Sequence, residues 1–239
     1  MRKKVDSRIK TLIENCLKLR QRGIFVIIGD RGRDQVVNMH YLMTKMTAIQ
    51  RMKVLWCYKK ELGFSSHKKK RMQQIKTQMK QGLYDTSIDE PFDLFISASD
   101  IRYCYYSETQ NILGNTYDML VLQDFESLTP NTICRTVETV QGGGIVFLLL
   151  KNMTSLKQLY TMSMDVHKKY RTDAHNEVEP RFNERFILSL ATCKNCLFMD
   201  DEMNLLPINS SVNTITPISK EEAKFYETKD LELTNLKSS

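Results

Sequence analysis

Short apolar runs recur along this chain of 239 residues, and they constrain its fold more than any other feature. Each run is rich in β-branched, aromatic or leucine residues, and most have no alternating polar face. Such runs are typical of strands in a parallel sheet that is covered on both sides. The predicted strands are the run GIFVII before Gly29 and residues 54–58, 93–97, 118–123, 145–150 and 196–200.

Segments with helical spacing separate these runs. Between Val5 and Arg22, apolar residues recur every three or four positions, which predicts an amphipathic helix with a basic outer face. Further helices are predicted from Asp34 to Met46 and at 66–81, 103–112, 130–140, 154–170 and 181–191. Strands that alternate with helices predict a doubly wound α/β fold with a mostly parallel sheet.

Composition narrows the classes of partner and compartment. Lys and Arg number 35 against 28 Asp and Glu, so the net charge of +7 favours an acidic partner such as nucleic acid. The longest purely apolar run, Ile145–Leu150, is too short to cross a bilayer, and we expect no membrane association. Six scattered cysteines are not the pattern of a disulfide framework, which favours a reducing compartment.

The sequence changes character after Pro207. Residues beyond it are polar and rich in Ser and Thr, which is typical of a linker. We therefore predict an α/β domain over 1–208 and a polar linker or tail over 209–239 that belongs to a longer protein.

The segment GDRGRDQ after the first strand has the layout of a phosphate-binding loop, with glycines between a strand and a helix. Arg33, Asp34 and Gln35 stand where such a loop needs Gly-Lys-Ser/Thr. Asp124 and Glu126 follow a later strand, as acids that hold magnesium do. These features predict the topology of a P-loop nucleotide hydrolase without a functional P-loop. A degenerate nucleotide site and plain turn glycines both remain open.

A basic stretch forms the most distinctive surface signal. From Lys59 to Lys80 it holds eight Lys and Arg against one acid, Glu61. If Ser65 or Ser66 caps the helix, a lysine stripe lies over an apolar underside and can follow a phosphate backbone. A solvated face and a localisation signal are the alternatives. The candidate nucleic-acid residues are Lys68, Lys69, Lys70, Arg71 and Lys76.

Other motifs are weaker. RYCYY at 102–106 combines aromatics with a cation, as base-stacking surfaces do, although core packing also explains it. Cys193 and Cys196 form one half of a zinc site without a second pair. The glycines of VQGGG at 140–144 precede a strand, which favours a turn over a coenzyme loop. We predict no catalytic, cofactor-binding or metal-binding residue in the chain.

A resemblance to a known family adds to these expectations. Six blocks carry it, in this order: VLWCYKKELGFSSHKKKRM, IRYCYY, ILGNTYDMLVLQDFE, RTVETVQGGGIVFLLL, SLKQLYTMSMDVHKKYRT and RFNERFILSLATCKNCL. Over residues 1–207 the chain resembles the N-terminal part of the eukaryotic RNA cytidine acetyltransferases of the TmcA type. The polar tail resembles nothing we can place.

The resemblance implies a parent enzyme that forms N4-acetylcytidine in 18S ribosomal RNA and tRNA, using acetyl-coenzyme A and ATP with magnesium. It implies a nucleolar protein of ribosome biogenesis, with small-subunit assembly factors, downstream ATPase and acetyltransferase domains, and a second copy of the parent as partners. For the segment itself, we expect a non-catalytic module that docks on the ATPase domain and contacts RNA. A degenerate nucleotide-binding domain and a purely structural module for oligomerisation or protein interaction are the alternatives.

Overall fold

The computed structural model describes residues 5–47, 51–64, 66–81, 90–153, 155–162, 164, 172–174, 181–219 and 235–236. The strands in these ranges are β1 (Gly23–Ile28), β2 (Met52–Tyr58), β3 (Ser99–Tyr105), β4 (Tyr117–Leu122), β5 (Val140–Leu150) and β6 (Cys196–Asp200). The helices are α1 (Ser7–Leu19), α2 (Gly32–Met46), α3 (Ser66–Lys80), α4 (Pro91–Ser97), α5 (Pro130–Val137), α6 (Leu156–Thr161) and α7 (Arg181–Thr192). Short 3-10 helices lie at Tyr106–Ile112, Phe125–Ser127 and Ser210–Asn213.

The six strands form one sheet in the order β3-β2-β4-β5-β1-β6, and every neighbouring pair is parallel. Parallel neighbours require crossover connections, which the helices provide. The predicted doubly wound α/β fold is confirmed.

Each face of the sheet is covered by its own set of helices. On the first face, Ile9 of α1, Val36 of α2, Ile75 of α3 and Phe95 of α4 belong to one buried cluster with alternate strand residues. The second cluster contains Ile187 of α7 and the residues that flank α5. The helices after β1 and β2 thus lie on one face, and those after β4 and β5 on the other.

One predicted strand and one predicted helix are wrong. Residues 93–97 belong to α4 rather than to a strand, because Pro91 occupies the first turn of a helix and the run DLFIS continues it. The predicted helix at 103–112 is divided between the end of β3 and a 3-10 helix. Short apolar runs fit a buried helix as well as a strand, so periodicity could not separate the two.

The glycines at 142–144 are part of β5 rather than of a separate turn. Gly143 has a φ of +88°, and the pairing with β4 shifts register between Tyr117 and Met119. A Cβ on Gly144 would lie 2.7 Å from the carbonyl oxygen of Asp118. The glycines therefore allow a bulge where β4 and β5 approach closely.

The chain after β6 packs back on the fold as far as the structure describes it. The amide of Leu206 donates to the carbonyl of Phe198 (2.8 Å), which covers the edge of β6. Val212 is buried, and the side chain of Asn15 on α1 binds backbone groups of Thr216 and Ile218. The predicted boundary at residue 208 stays a prediction, although residues 209–218 make these contacts.

No helix within the described ranges has both the length and the apolar character that a bilayer span needs.

Candidate functional site: the carboxyl edge of the sheet and the basic helix

A cleft opens where two neighbouring strands send the chain to opposite faces. β2 continues toward α3 and α4 on the first face, whereas β4 leads to α5 on the second. In open α/β sheets, ligands bind at such a switch point, outside the carboxyl ends of the strands. The cleft has a volume of about 540 Å³. It is lined by Arg33, Lys59, Lys60, Glu61, Gly63, Gln123, Asp124, Glu126, Ser127 and Lys151.

Gln123 forms the floor of the cleft. Its side chain is buried, and its carboxamide oxygen accepts a hydrogen bond from the indole of Trp56 at 3.2 Å. Its amide nitrogen donates to the carbonyl of Glu61 at 2.7 Å. The hydroxyl of Tyr106 donates to the backbone carbonyl of Gln123. This network ties the loop after β2 to the end of β4 and fixes the shape of the cleft.

Asp124 holds a strained position beside Gln123. Its φ of 55° and ψ of 62° lie in the left-handed region, which is costly for a residue with a Cβ. Its Oδ2 accepts a hydrogen bond from the backbone amide of Lys59 at 2.9 Å. Glu126 forms an ion pair with Lys151 at 2.8 Å. Both acids that the sequence singled out lie in the cleft, and each is engaged by a neighbouring loop.

Structural partners occupy much of the predicted phosphate loop. Asp34 forms an ion pair with Lys68 of α3 at 2.5 Å. The side chain of Gln35 donates to the carbonyl of Asp201 at 2.6 Å. Gly29 has a φ of +143° and lies against Asp201. A Cβ on Gly29 would be 2.6 Å from the side chain of Asp201. The loop is therefore fastened to α3 and to the turn after β6.

Arg33 extends across the cleft from the first turn of α2. A Cβ on Gly63 would lie 2.2 Å from Nη1 of Arg33, so the guanidinium packs directly on the backbone of Gly63. Gly63 has a φ of +63°, which also favours glycine. The loop after β2 thus positions the Arg33 guanidinium at the mouth of the cleft.

Two of the five candidate nucleic-acid residues tie α3 to the fold. Arg71 makes a bidentate contact with Asp93 of α4, with nitrogen–oxygen distances of 2.5 and 3.2 Å. The carboxylate of Asp93 is buried and Arg71 is half-buried. Lys68 pairs with Asp34, and its ammonium lies 5.5 Å from the ring centre of Phe92. Both cations therefore contribute to packing.

The other three candidates, Lys69, Lys70 and Lys76, are exposed. On a helix, Lys69, Lys76 and Lys80 fall within a narrow arc, since positions seven and four residues apart lie almost in line. Ile75 is the buried residue of this helix, and Met72 packs on the core. The lysine stripe is present with Met72 and Ile75 beneath it, although Met79 on the same side of the helix is 36% exposed. Its contact with RNA stays a prediction.

The aromatic motif at 102–106 divides between core and surface. Tyr103 packs near Trp56, with ring centres 6.5 Å apart. Tyr105 is exposed, and its ring lies 4.7 Å from that of Tyr58 on β2. Burial and the neighbouring Tyr105 raise the pKa of Tyr58 to about 12. Tyr58 therefore remains neutral near pH 7.

The cysteine pair near the end of the chain shows no zinc geometry. Cys196 is buried in β6, where burial raises the pKa of its thiol, whereas Cys193 is half-buried. Within the described part of the chain, no three His, Cys, Asp or Glu residues cluster as metal ligands would. His167 and His175, the histidines upstream of this cysteine pair, lie outside the described residues. So does Ser65, one of the two candidate caps of α3.

Sequence reasoning missed the residues that build the cleft from separate loops. Lys151 follows β5, and Gln123 looked like the last residue of a strand. Asp93 was assigned to a strand, which hid its role as the partner of Arg71. A polar residue directly after an apolar run was the available signal, because carboxyl ends of parallel strands meet at one edge.

Comparison with known proteins places the chain in a family. Residues 1–201 match the family described as tRNA(Met) cytidine acetyltransferase TmcA, N-terminal. The chain is similar along 100% of its length to the human protein named RNA cytidine acetyltransferase, at 59% identity. It is 54% identical over 100% of its length to the Saccharomyces cerevisiae protein of that name, and 51% identical over 99% to RNA cytidine acetyltransferase 1 of Arabidopsis thaliana.

The chain spans 23% of the human relative, 22% of the yeast relative and 23% of the plant relative. The match therefore concerns one segment of each of these longer proteins. With a family match over most of its residues and high identity along its length, the chain belongs to the TmcA-type N-terminal family of the RNA cytidine acetyltransferases.

Proposed function

We propose that this chain is the N-terminal part of an enzyme that forms N4-acetylcytidine in 18S ribosomal RNA and tRNA, using acetyl-coenzyme A and ATP. The match along the whole chain to proteins named RNA cytidine acetyltransferase, at 51–59% identity, is the observation that carries this proposal. In this view the acetyltransferase and ATPase residues belong to other parts of the protein. The setting is ribosome biogenesis in the nucleolus.

The proposed role of the segment is to position RNA and to dock on the downstream ATPase domain. The lysine face of α3, formed by Lys69, Lys76 and Lys80, supports RNA contact, because it presents exposed cations on a helix that ion pairs hold in place. Such a row neutralises backbone phosphates without reading bases. Assembly factors of the small subunit and a second copy of the parent are further proposed partners.

The experiment measures tRNA affinity of the chain across a series of KCl concentrations. The triple variant Lys69→Glu/Lys76→Glu/Lys80→Glu removes the lysine face and leaves the two packing cations, Lys68 and Arg71, unchanged. We expect weaker tRNA binding. The slope of log K against log [KCl] should fall in magnitude by about two, since each lost phosphate contact removes about 0.7–0.9 from that slope. Fluorescence anisotropy of labelled tRNA provides the measurement.

A charge-matched control separates local contact from net charge. Lys10 and Lys18 on α1 and Lys194 after α7 are also exposed. The variant Lys10→Glu/Lys18→Glu/Lys194→Glu changes the net charge by the same amount, and it should retain most of the slope. Equal losses in the two variants, or no loss in either, contradict RNA contact through α3. A normal RNA affinity in the α3 variant would favour the purely structural module.

A further inference from the structure

A second, smaller cavity lies beside the cleft between β2 and β4. This narrow cavity has a volume of about 190 Å³ and lies over the ends of β5 and β1, whose following helices also diverge to opposite faces. The two cavities share Arg33, Gln123, Asp124, Glu126 and Lys151. Both switch points of the sheet thus open on one cluster of polar side chains, which joins the loop at 29–35 to residues that follow β4 and β5.

The charges of the wide cavity favour an anion. Its cations are Arg33, Lys59, Lys60 and Lys151, and its acids are Glu61, Asp124 and Glu126. Asp124 accepts from the amide of Lys59 and Glu126 pairs with Lys151, so the charge of both acids is partly satisfied. The narrow cavity adds the exposed carboxylate of Asp30, which makes the wide cavity the more favourable place for negative charge.

Two cations in the wide cavity remain available for a ligand. Within the described residues, the side chains of Arg33 and Lys60 have no hydrogen-bond or ion-pair partner. The backbone of Gly63 supports the Arg33 guanidinium, so the group is held in position without being neutralised. A guanidinium placed in this way offers a planar pair of donors to tetrahedral oxyanions.

We propose that this cleft binds a phosphoryl group, with Arg33 and Lys60 as its cationic ligands. The buried Gln123 network and the left-handed Asp124 keep the loops after β2 and β4 in place around the anion. A strained backbone conformation persists only where the surrounding structure fixes it, and such conformations are concentrated at ligand-binding sites.

The lining also defines which part of a ligand is recognised. All the residues that line the two cavities are charged, polar, glycine or leucine, so a nucleobase would find no aromatic ring to stack on. The lysine and hydroxyl that position magnesium and the outer phosphates are replaced by Asp34 and Gln35 at the loop. The site therefore holds a phosphoryl group without hydrolysing it, and the group belongs either to inorganic phosphate or to a nucleotide.

Isothermal titration calorimetry of the 239-residue chain tests this site, with inorganic phosphate in one arm and ATP without magnesium in the other. We expect saturable binding that the Arg33→Ala/Lys60→Ala variant weakens at least tenfold, which is about 1.4 kcal/mol, because the variant removes both cationic ligands of the anion. Similar affinity for both ligands would show that inorganic phosphate alone provides all the groups that the site binds. Clearly tighter ATP binding identifies a nucleotide as the source.

The control variant Lys10→Ala/Lys18→Ala removes the same charge from α1 and should bind as the unaltered chain does. Circular dichroism melts verify folding, and Lys60→Ala alone, at an exposed position, provides the test if the double variant unfolds. The absence of saturable binding in both arms overturns the proposal, as does equal affinity in the cleft variant and the control. Neither result affects the separate test of the lysine face on α3.

Discussion

His40 lies on α2 with its ring fully buried. Its Nε2 is 2.8 Å from the hydroxyl oxygen of Ser99, and its ring meets that of Phe95 edge to face. Burial lowers the pKa of His40 to about 4, so the imidazole is neutral near pH 7. Sequence offered no partner for this histidine, because Ser99 is 59 positions away and becomes a neighbour through the packing of α2 on the sheet.

A buried neutral histidine makes the stability of the fold depend on pH. The unfolded chain binds a proton at His40 below about pH 6.5, whereas the folded chain binds it only near pH 4. The contribution of neutral His40 to the free energy of unfolding is therefore fully present above pH 6.5, and it is lost as the pH falls toward 4. The shift corresponds to roughly 3 kcal/mol of unfolding free energy.

The variant His40→Leu should remove this part of the pH dependence. Urea unfolding at pH 7.5 and at pH 4.5 measures it, by comparing the stability lost on acidification in the two proteins. We expect the variant to lose less than the unaltered chain, because leucine has no proton to bind. An identical loss in both proteins would show that other groups cause the acid sensitivity.

At the scale of elements, the region from α3 to β3 shows where sequence patterns were sufficient and where they were not. The boundaries of α3 were predicted to within one residue, since its charges and apolar spacing agree. The next helix was mistaken for a strand, and the end of β3 was assigned to a helix. β3 is an edge strand in which exposed and buried residues mix, and this weakened its strand pattern.

The sequence also predicted one part of the candidate site and not another. Local spacing identified the lysine face of α3, because that face depends on helix geometry alone. Local spacing could not show that Lys68 and Arg71 have carboxylate partners, since Asp34 and Asp93 are supplied by α2 and α4. A run of basic residues therefore combines surface charge with packing contacts that only the tertiary structure separates.

The contact between Arg71 and Asp93 should stabilise the junction of α3 and α4. Arg71→Met leaves the buried carboxylate of Asp93 without its guanidinium, and we expect a loss of about 2–4 kcal/mol in unfolding free energy. Chemical denaturation measures the loss. Lys70→Met, at the exposed neighbouring position, should change stability by about 0.5 kcal/mol or less.

A second substitution identifies the unpaired charge as the cause. Arg71→Met/Asp93→Leu removes both ions, and replacing both partners with apolar groups is far less costly than stranding one. The double variant should therefore be more stable than Arg71→Met alone. If it is less stable, packing by Asp93 rather than charge pairing holds the two helices together.

At the scale of the whole molecule, the alternation of strands and helices was enough to predict the fold class. β1 and residues Ile145–Leu150 of β5 are so uniformly apolar that an antiparallel sheet with one face in water would not suit them. Strand order could not be predicted, because it depends on which helices cover which face. The cleft follows from that order, and its residues come from four separate loops.

Residues just beyond the predicted boundary at 208 also contact the rest of the described fold. The side-chain Nδ2 of Asn209 donates to the backbone carbonyls of Cys193 and Cys196, at 2.7 and 2.6 Å, and joins the end of α7 to the start of β6. Val212 is 4% exposed and packs on the cluster beneath α1. Contacts of this kind are absent from a free linker and typical of a closing segment.

Truncation after residue 208 should therefore destabilise the domain. Loss of the Val212 side chain from the core costs about 1.5–3 kcal/mol, and the unpaired carbonyls of Cys193 and Cys196 add to that cost. We expect chain 1–208 to unfold at a lower urea concentration than chain 1–239, and Asn209→Ala in the longer chain to reproduce part of the difference. Thr216→Ala, at an exposed side chain, serves as the control. Equal unfolding midpoints for the two chains would instead place the domain boundary at 208, because the contacts of Asn209 and Val212 would then contribute nothing to stability.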